Sequence, residues 1–292
     1  MSARRPWLIP LTPLYAAVVV AKRRMYRWGW LKQKRLPAPV ISVGSVSAGG
    51  AGKTPFVAML ASILNRRDYA VSILTRGYGR TSEFTDRVEP YDDPQWHGDE
   101  PVLLAQRSDA PVFAGSDRYE AGLMAEREEA QGRIAVHLLD DGFQHLRLAR
   151  NVDIVLLTLE DTEDMILPAG NLREPITTVG EADVVVVREE EADALKPLLE
   201  RLSAQGHGFS TWVIRRTLSL LDEVEVSLPT LPLAFCGIAR PENFTEMLTS
   251  SAYEPMDMVA FADHHPYGAA DITRLADHAV RIGANGWCQR PT

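Results

Sequence analysis

Ser47-Ala48-Gly49-Gly50-Ala51-Gly52-Lys53-Thr54-Pro55 is the stretch on which the fold turns. An apolar run, Pro39-Val40-Ile41-Ser42-Val43-Gly44, precedes it, and Phe56-Val57-Ala58-Met59-Leu60-Ala61-Ser62-Ile63-Leu64, with a helical pattern, follows. Strand, glycine-rich turn, Gly-Lys-Thr and helix, in that order, build a phosphate-binding loop (P-loop). Small residues let successive backbone N–H groups turn inward around phosphate oxygens, and the helix N-terminus adds the positive end of its dipole. Ser47, Ala48, Gly49, Gly50, Ala51 and Gly52 are therefore the expected cradle for ATP phosphates. Lys53 can reach the β- and γ-phosphates, and the Thr54 hydroxyl can hold Mg²⁺. The strict pattern has glycine where this chain has Ser47. A flexible surface loop is the plainer alternative, and the flanking strand and helix weaken it.

Outward from the loop, strand-like runs at 39–44, 71–75, 111–114, 134–139, 152–159 and 183–187 alternate with helical segments. Several are continuously apolar, as in Val184-Val185-Val186-Val187, which suits strands buried on both faces of a parallel sheet. The expected class is α/β: a P-loop NTPase-like, doubly wound, mostly parallel sheet. A helical segment near 191–209 leads to a second set of runs at 211–214, 232–236 and 256–261. These predict a smaller C-terminal α/β domain over 208–292, after a nucleotide-binding domain over 36–207. Glu189-Glu190-Glu191 reads as a solvated helix start.

Residues 1–35 form a third segment, with nine basic residues and no acidic one; the first acid in the chain is Asp68. Between the basic clusters runs Trp7-Leu8-Ile9-Pro10-Leu11-Thr12-Pro13-Leu14-Tyr15-Ala16-Ala17-Val18-Val19-Val20, followed by Tyr26, Trp28 and Trp30. The apolar part is shorter than the roughly 20 residues of a membrane span and is broken by proline. Arg/Lys-rich sequence directly after Ala16-Ala17 argues against a cleaved signal peptide. What remains is an interfacial helix on an anionic membrane, or a basic first helix packed on the domain. The first reading places the protein on a membrane surface within reach of cytoplasmic ATP.

A net charge of -8 argues against bulk nucleic-acid binding, and no obligate protein partner is evident. The two cysteines, Cys236 and Cys288, are too few and too separated for a disulfide framework or zinc cluster.

Four further clusters sit where open α/β sheets place ligands. In Val136-His137-Leu138-Leu139-Asp140-Asp141-Gly142-Phe143-Gln144-His145 an apolar strand ends in two acids, as a Mg²⁺-ordering Walker B segment does, although Asp-Asp-Gly also suits a turn. Asp99, in His97-Gly98-Asp99-Glu100-Pro101, fits a helix N-cap and also a general base for a hydroxyl nucleophile; the pattern favours the cap. Asp263-His264-His265 with Tyr267 follows a strand and suits an Asp–His pair tuning a catalytic carboxylate, or a polar loop. Arg76-Gly77-Tyr78-Gly79-Arg80 and Leu167-Pro168-Ala169-Gly170-Asn171-Leu172-Arg173-Glu174-Pro175 are glycine-punctuated loops whose arginines suit phosphate charge.

As an ordered set these motifs resemble the tetraacyldisaccharide 4'-kinase (lipid A 4'-kinase) family over nearly the whole chain. Asp-Asp-Gly-Phe-Gln-His combined with Asp-His-His is the specific part. The resemblance implies ATP- and Mg²⁺-dependent phosphorylation of the 4'-hydroxyl of tetraacyldisaccharide 1-phosphate, giving lipid IVA, by an enzyme with an N-terminal membrane-associating helix. It implies Asp99 as base with His264 as its partner, Asp140 and Asp141 for Mg²⁺ and phosphate alignment, Lys53 and Thr54 on the triphosphate, and Arg173 and Glu174 ordering the site. Ser45 stands where the family usually has Asn, and Ala51 where a hydroxyl is frequent. The family also continues after Ala284-Asn285-Gly286-Trp287 into a further strand. Cys288-Gln289-Arg290-Pro291-Thr292 stands there instead, so an unpaired sheet edge and lower stability are expected.

Two rivals stand beside the kinase. A P-loop switch GTPase shares the loop, but none of the five asparagines is followed by lysine, so its Asn-Lys-x-Asp motif is missing. The activating lysine of partition-type ATPases would occupy the place of Ala48. A catalytically weakened relative is the other.

Overall fold

The computed structural model describes residues 5–128, 132–206, 208–217, 231–238, 241–251, 254–262 and 265–290. The chain divides into two compact units, Met1–Ile214 and Arg215–Thr292.

Eight strands build the sheet of the first unit: β1 (Val40–Ser45), β2 (Tyr69–Thr75), β3 (Asp86–Val88), β4 (Val112–Ala114), β5 (Ile134–Asp140), β6 (Val152–Leu156), β7 (Val184–Arg188) and β8 (Ser210–Ile214). Their order is β3-β4-β2-β5-β1-β6-β7-β8, parallel throughout except for β3 against β4. Alternating side chains of one strand enter different cores. Val184 and Val186 of β7 join the cluster containing Val57 and Leu60, whereas Val185 and Val187 pack with Leu195, Leu199 and Leu202. Burial on both faces explains why the strands read as continuous apolar runs.

The helices are α1 (Thr12–Arg27), α2 (Lys53–Asn65), α3 (Pro94–His97), α4 (Asp99–Arg107), α5 (Arg118–Glu126), α6 (Leu159–Glu163) and α7 (Ala192–Ala204). Helix α2 begins at the lysine of the glycine-rich loop and buries Phe56, Val57, Leu60 and Ala61 at helical spacing. Asp117 caps α5, its side chain accepting a hydrogen bond from Tyr119 N–H. Glu189–Glu191 forms a single 3₁₀ turn leading into α7, consistent with a helix start.

Two expectations change. Strand β8, which the spacing assigns to the second unit, pairs with β7 over five positions and closes one edge of the large sheet. The apolar run at 152–159 is not strand throughout: β6 ends at Leu156 and α6 starts at Leu159.

In the second unit β9 (Pro232–Cys236) lies between β10 (Asp257–Ala260) and β11 (Gly286–Arg290), all parallel, with helices α8 (Pro241–Ser250) and α9 (Ala269–Ile282). Leu233 and Phe235 pack with Leu275 and Ala279, while Ala234 and Cys236 pack with Phe244 and Leu248. Where the family's further strand is expected to be missing, residues Gly286–Arg290 form β11 and pair with β9 over five positions.

Among the described residues no helix is long and apolar enough to cross a membrane. A 3₁₀ turn, Pro6–Leu11, leads into α1, and Trp7, Leu11, Leu14, Val18, Trp28 and Trp30 are all exposed.

Candidate functional site

Strand β1 lies between β5 and β6, in register Val43↔Asp140 with β5. The glycine-rich loop leaving β1 and the acids ending β5 therefore emerge side by side at the carboxyl edge of the sheet, where open α/β sheets bind ligands. Gly49, Gly50 and Gly52 adopt φ values of 82°, 73° and 84°. Side chains resist that left-handed backbone, and three glycines within four residues let the loop curl back toward α2.

Lys53 points inward. Its Nζ donates to Ser45 Oγ at 3.1 Å and lies 3.4 Å from Asp141 Oδ1. Asp141 adopts φ 49°, unusual for a non-glycine residue, and accepts a 2.6 Å hydrogen bond from Arg173 Nη1 on its other oxygen. Gln144 ties the two segments, donating from Nε2 to Ser45 O at 2.9 Å. Arg173 is placed by backbone pairing: its N–H donates to Val46 O at 2.7 Å, Ala48 N–H donates to Asn171 O at 2.9 Å, and Ser47 bridges Leu172. The two motifs thus meet as neighbouring pieces of chain.

Ala48, Gly49 and Gly52 are exposed, Gly50 and Thr54 half-buried, and Ala51 buried. Ser47 is buried, and its hydroxyl has no hydrogen-bond partner. The Ser45 hydroxyl, where an asparagine is usual, accepts from Lys53 and donates to Ser47 O.

The adjacent acids are driven apart electrically. Burial, with Glu100 and Asp141 adding negative charge, pushes the Asp140 carboxyl up to about 7, against Lys53 and the Thr75 hydroxyl that donates to it at 3.1 Å. Asp141 is half-buried, and Lys53 and Arg173 outweigh its desolvation and hold it below the ordinary carboxylate value. Neighbouring carboxylates whose surroundings push them apart in this way are an arrangement that acid–base sites use.

Asp99 is half-buried at the first position of α4, and the N-cap is Gly98, so Asp99 does not cap the helix as the pattern favoured. Gly98 has φ 93°, and a Cβ there would meet Tyr78 O at 2.8 Å. The Arg76–Arg80 loop thus packs tightly on the turn that carries Asp99. His264 lies outside the described residues. His265 Nε2 donates to Asp271 Oδ2, 3.0 Å away, and the ring stacks on Phe261 with ring centroids 4.6 Å apart.

Three residues absent from the sequence reading border the site. Arg188 is buried and donates to Gly50 O at 3.2 Å, bracing the glycine loop. Arg118 is buried, and its Nε has no hydrogen-bond partner. Burial and then Arg76 lower its guanidinium to about 10, while Asp141 and Asp140 act the other way. Thr75 holds Asp140. None stands in a recognisable motif, although Thr75 and Arg188 end β2 and β7 and Arg118 opens α5. His145, within the motif but given no role, is kept neutral: burial, then Arg118, takes its imidazole down to about 4.

The comparisons agree on one family. The family described as tetraacyldisaccharide-1-P 4'-kinase (LpxK) matches residues 4–285. The tetraacyldisaccharide 4'-kinase of Koribacter versatilis is 41% identical over 273 residues, covering 91% of this chain and 81% of that protein. The protein of that name from Aquifex aeolicus is 36% identical over 273 residues, covering 90% and 83%. A crystal structure of Aquifex aeolicus LpxK in complex with ATP is similar with a TM-score of 0.75 at 35% identity, covering 91% of this chain and 84% of that one.

Proposed function

The chain belongs to the tetraacyldisaccharide 4'-kinase family, and from that premise we propose how its own residues carry the reaction. The enzyme is an ATP-dependent kinase of lipid A biosynthesis that transfers phosphate to the 4'-hydroxyl of a tetraacyldisaccharide 1-phosphate. The observation that carries the assignment to this site is the convergence of Lys53, Asp141 and Arg173 behind the glycine loop.

In this reading residues Ser47–Thr54 are a P-loop whose backbone N–H groups and α2 N-terminus hold the ATP phosphates. Lys53 shifts from Asp141 toward the β/γ-phosphates, and Arg173 neutralises charge on the transferring group. Asp99 takes the proton of the 4'-hydroxyl as its oxygen bonds to the γ-phosphorus and ADP departs.

Mg²⁺ fits the donor set. Asp140 Oδ1 is buried without a hydrogen-bond partner, and Asp140, Asp141 and the Thr54 hydroxyl offer the hard oxygens such a cation takes alongside nucleotide phosphates. When bound, Mg²⁺ would neutralise charge on the β- and γ-phosphates.

The exposed apolar residues of the N-terminal segment, flanked by exposed Lys22 and Arg24, suit an interfacial helix on the anionic, cytoplasmic face of the inner membrane. Leu11, Leu14 and Val18 recur at helical spacing on one side. Flotation should show binding to anionic vesicles that Leu14→Glu with Val18→Glu abolishes; equal binding by that variant would refute the interfacial role.

The decisive assay is transfer of labelled γ-phosphate to tetraacyldisaccharide 1-phosphate in detergent micelles, for wild type and Asp99→Ala. Labelled lipid that falls by at least about 10²-fold in the variant supports kinase and base together. ATP binding without labelled lipid would favour the switch reading.

A further inference from the structure

Arg23 lies on α1 but is built into the site. It is the only buried basic residue among the described residues before Leu36. Its Nε donates to Glu174 Oε2 at 2.6 Å, Nη1 to Glu181 Oε2 at 3.0 Å and Nη2 to Phe143 O at 3.2 Å. The guanidinium also covers the Phe143 ring, 4.2 Å from its centroid.

Those partners are not scattered. Phe143 is two residues after Asp141, and Glu174 directly follows Arg173. One rigid, planar fork therefore clamps the two segments whose side chains meet in the 2.6 Å Asp141–Arg173 contact. Further ties run the same way: Tyr15 Oη donates to Arg173 O at 3.2 Å, and Arg5 N–H donates to Ala169 O at 2.8 Å.

We propose that Arg23 is a positioning residue for phosphoryl transfer, setting the Asp141–Arg173 pair through Glu174 and Phe143 and making α1 part of the catalytic framework. The inference rests on the kinase reading above. Phosphoryl transfer depends on position, and a displacement near 1 Å costs on the order of 10²-fold in rate. Lysine cannot replace the fork, because one ammonium has no fixed geometry for three separated acceptors.

The test is a double-mutant cycle of Arg23→Met and Arg173→Ala, read as kcat and KM in detergent micelles at saturating lipid, well below each variant's melting temperature. Micelles remove any contribution from vesicle recruitment. Arg23→Met is expected to lower kcat by about 10- to 100-fold with KM for ATP within about twofold. In the Arg173→Ala background the same change should cost less than about twofold, because the residue it positions is gone. An equal loss in both backgrounds, or an unchanged kcat in Arg23→Met, would overturn the proposal. Glu181→Gln cuts only the outer contact and should keep kcat within about twofold; a loss matching that of Arg23→Met would show that helix docking alone matters. If Arg23→Met does not fold, Arg23→Lys takes its place in the cycle, with a smaller loss and the same non-additivity expected. A wild type that labels no lipid refutes the kinase reading and this inference with it, whereas an active wild type beside an equally active Arg23→Met refutes only the inference.

Discussion

The charge cluster beneath α1 and the one at the end of β5 share adjacent residues, Glu174 and Arg173, yet differ in how completely their polar atoms are used. Under α1 each nitrogen of the Arg23 guanidinium donates to an acceptor. Burial raises the Glu174 carboxyl, and Arg23 opposes that rise. At the end of β5 Asp140 Oδ1 is buried without a hydrogen-bond partner, Asp141 Oδ1 has Lys53 Nζ alone at 3.4 Å, and Asp140 has been pushed to about 7. A buried polar atom left unpaired costs about 1–3 kcal/mol. The first cluster is closed and holds chain segments together; the second keeps a buried acid oxygen unpaired, as the proposed Mg²⁺ and phosphate site requires. Completeness of pairing, more than charge or burial, separates the two.

The comparison can be broken most forcefully at Lys53. Lys53→Met should lower transfer by about 10³-fold or more at saturating lipid, since the open cluster loses the cation meant for the incoming phosphates. A loss under tenfold in labelled lipid would mean that this cluster is not where the triphosphate sits.

Asp140 tests whether openness is stored as instability. A carboxyl near 3.9 in the unfolded chain and about 7 in the fold keeps more protons in the folded state between those values. That contribution is neutral below pH 4, and stability then falls as pH rises through about 7. At pH 8 in EDTA, Asp140→Asn should remove a penalty of roughly 4 kcal/mol, raising the melting temperature by several degrees while transfer is lost. At pH 5 the two proteins should melt much closer together. A variant less stable than wild type at pH 8 would show that the carboxylate is not strained.

The smallest effect is expected at the rim of the closed cluster. Arg27 and its partner Glu181 are both exposed, so Arg27→Ala should cost under about 1 kcal/mol in urea unfolding. A larger cost would mean that this cluster extends into solvent further than its burial suggests.

Much of this was legible residue by residue. Strand β1, the glycine loop and α2 follow from propensity and spacing within some 25 residues, and Asp140 and Asp141 announce themselves by closing an apolar strand. Strand β8 was legible as a strand but not as part of the large sheet, since Trp212 and Val213 carry the same pattern whichever partner they pair with. Arg118, Arg188 and Arg23 gave no local signal at all: each is an arginine among many, and its importance lies in what it touches. Asp99 looked like a cap, but the cap position is Gly98, where Tyr78 O leaves no room for a Cβ.

By itself, then, the sequence determined the order of strands, loops and helices, and the kinds of donors and acids available. Backbone propensity and turn chemistry act over a few residues and are written locally. Only the tertiary structure decided which of those groups meet and what charge they hold. Arg173 reaches Asp141 across 32 residues, and Arg23 reaches Glu174 across 151. The rise of Asp140 likewise comes from burial by the assembled sheet, which no neighbour in the chain records.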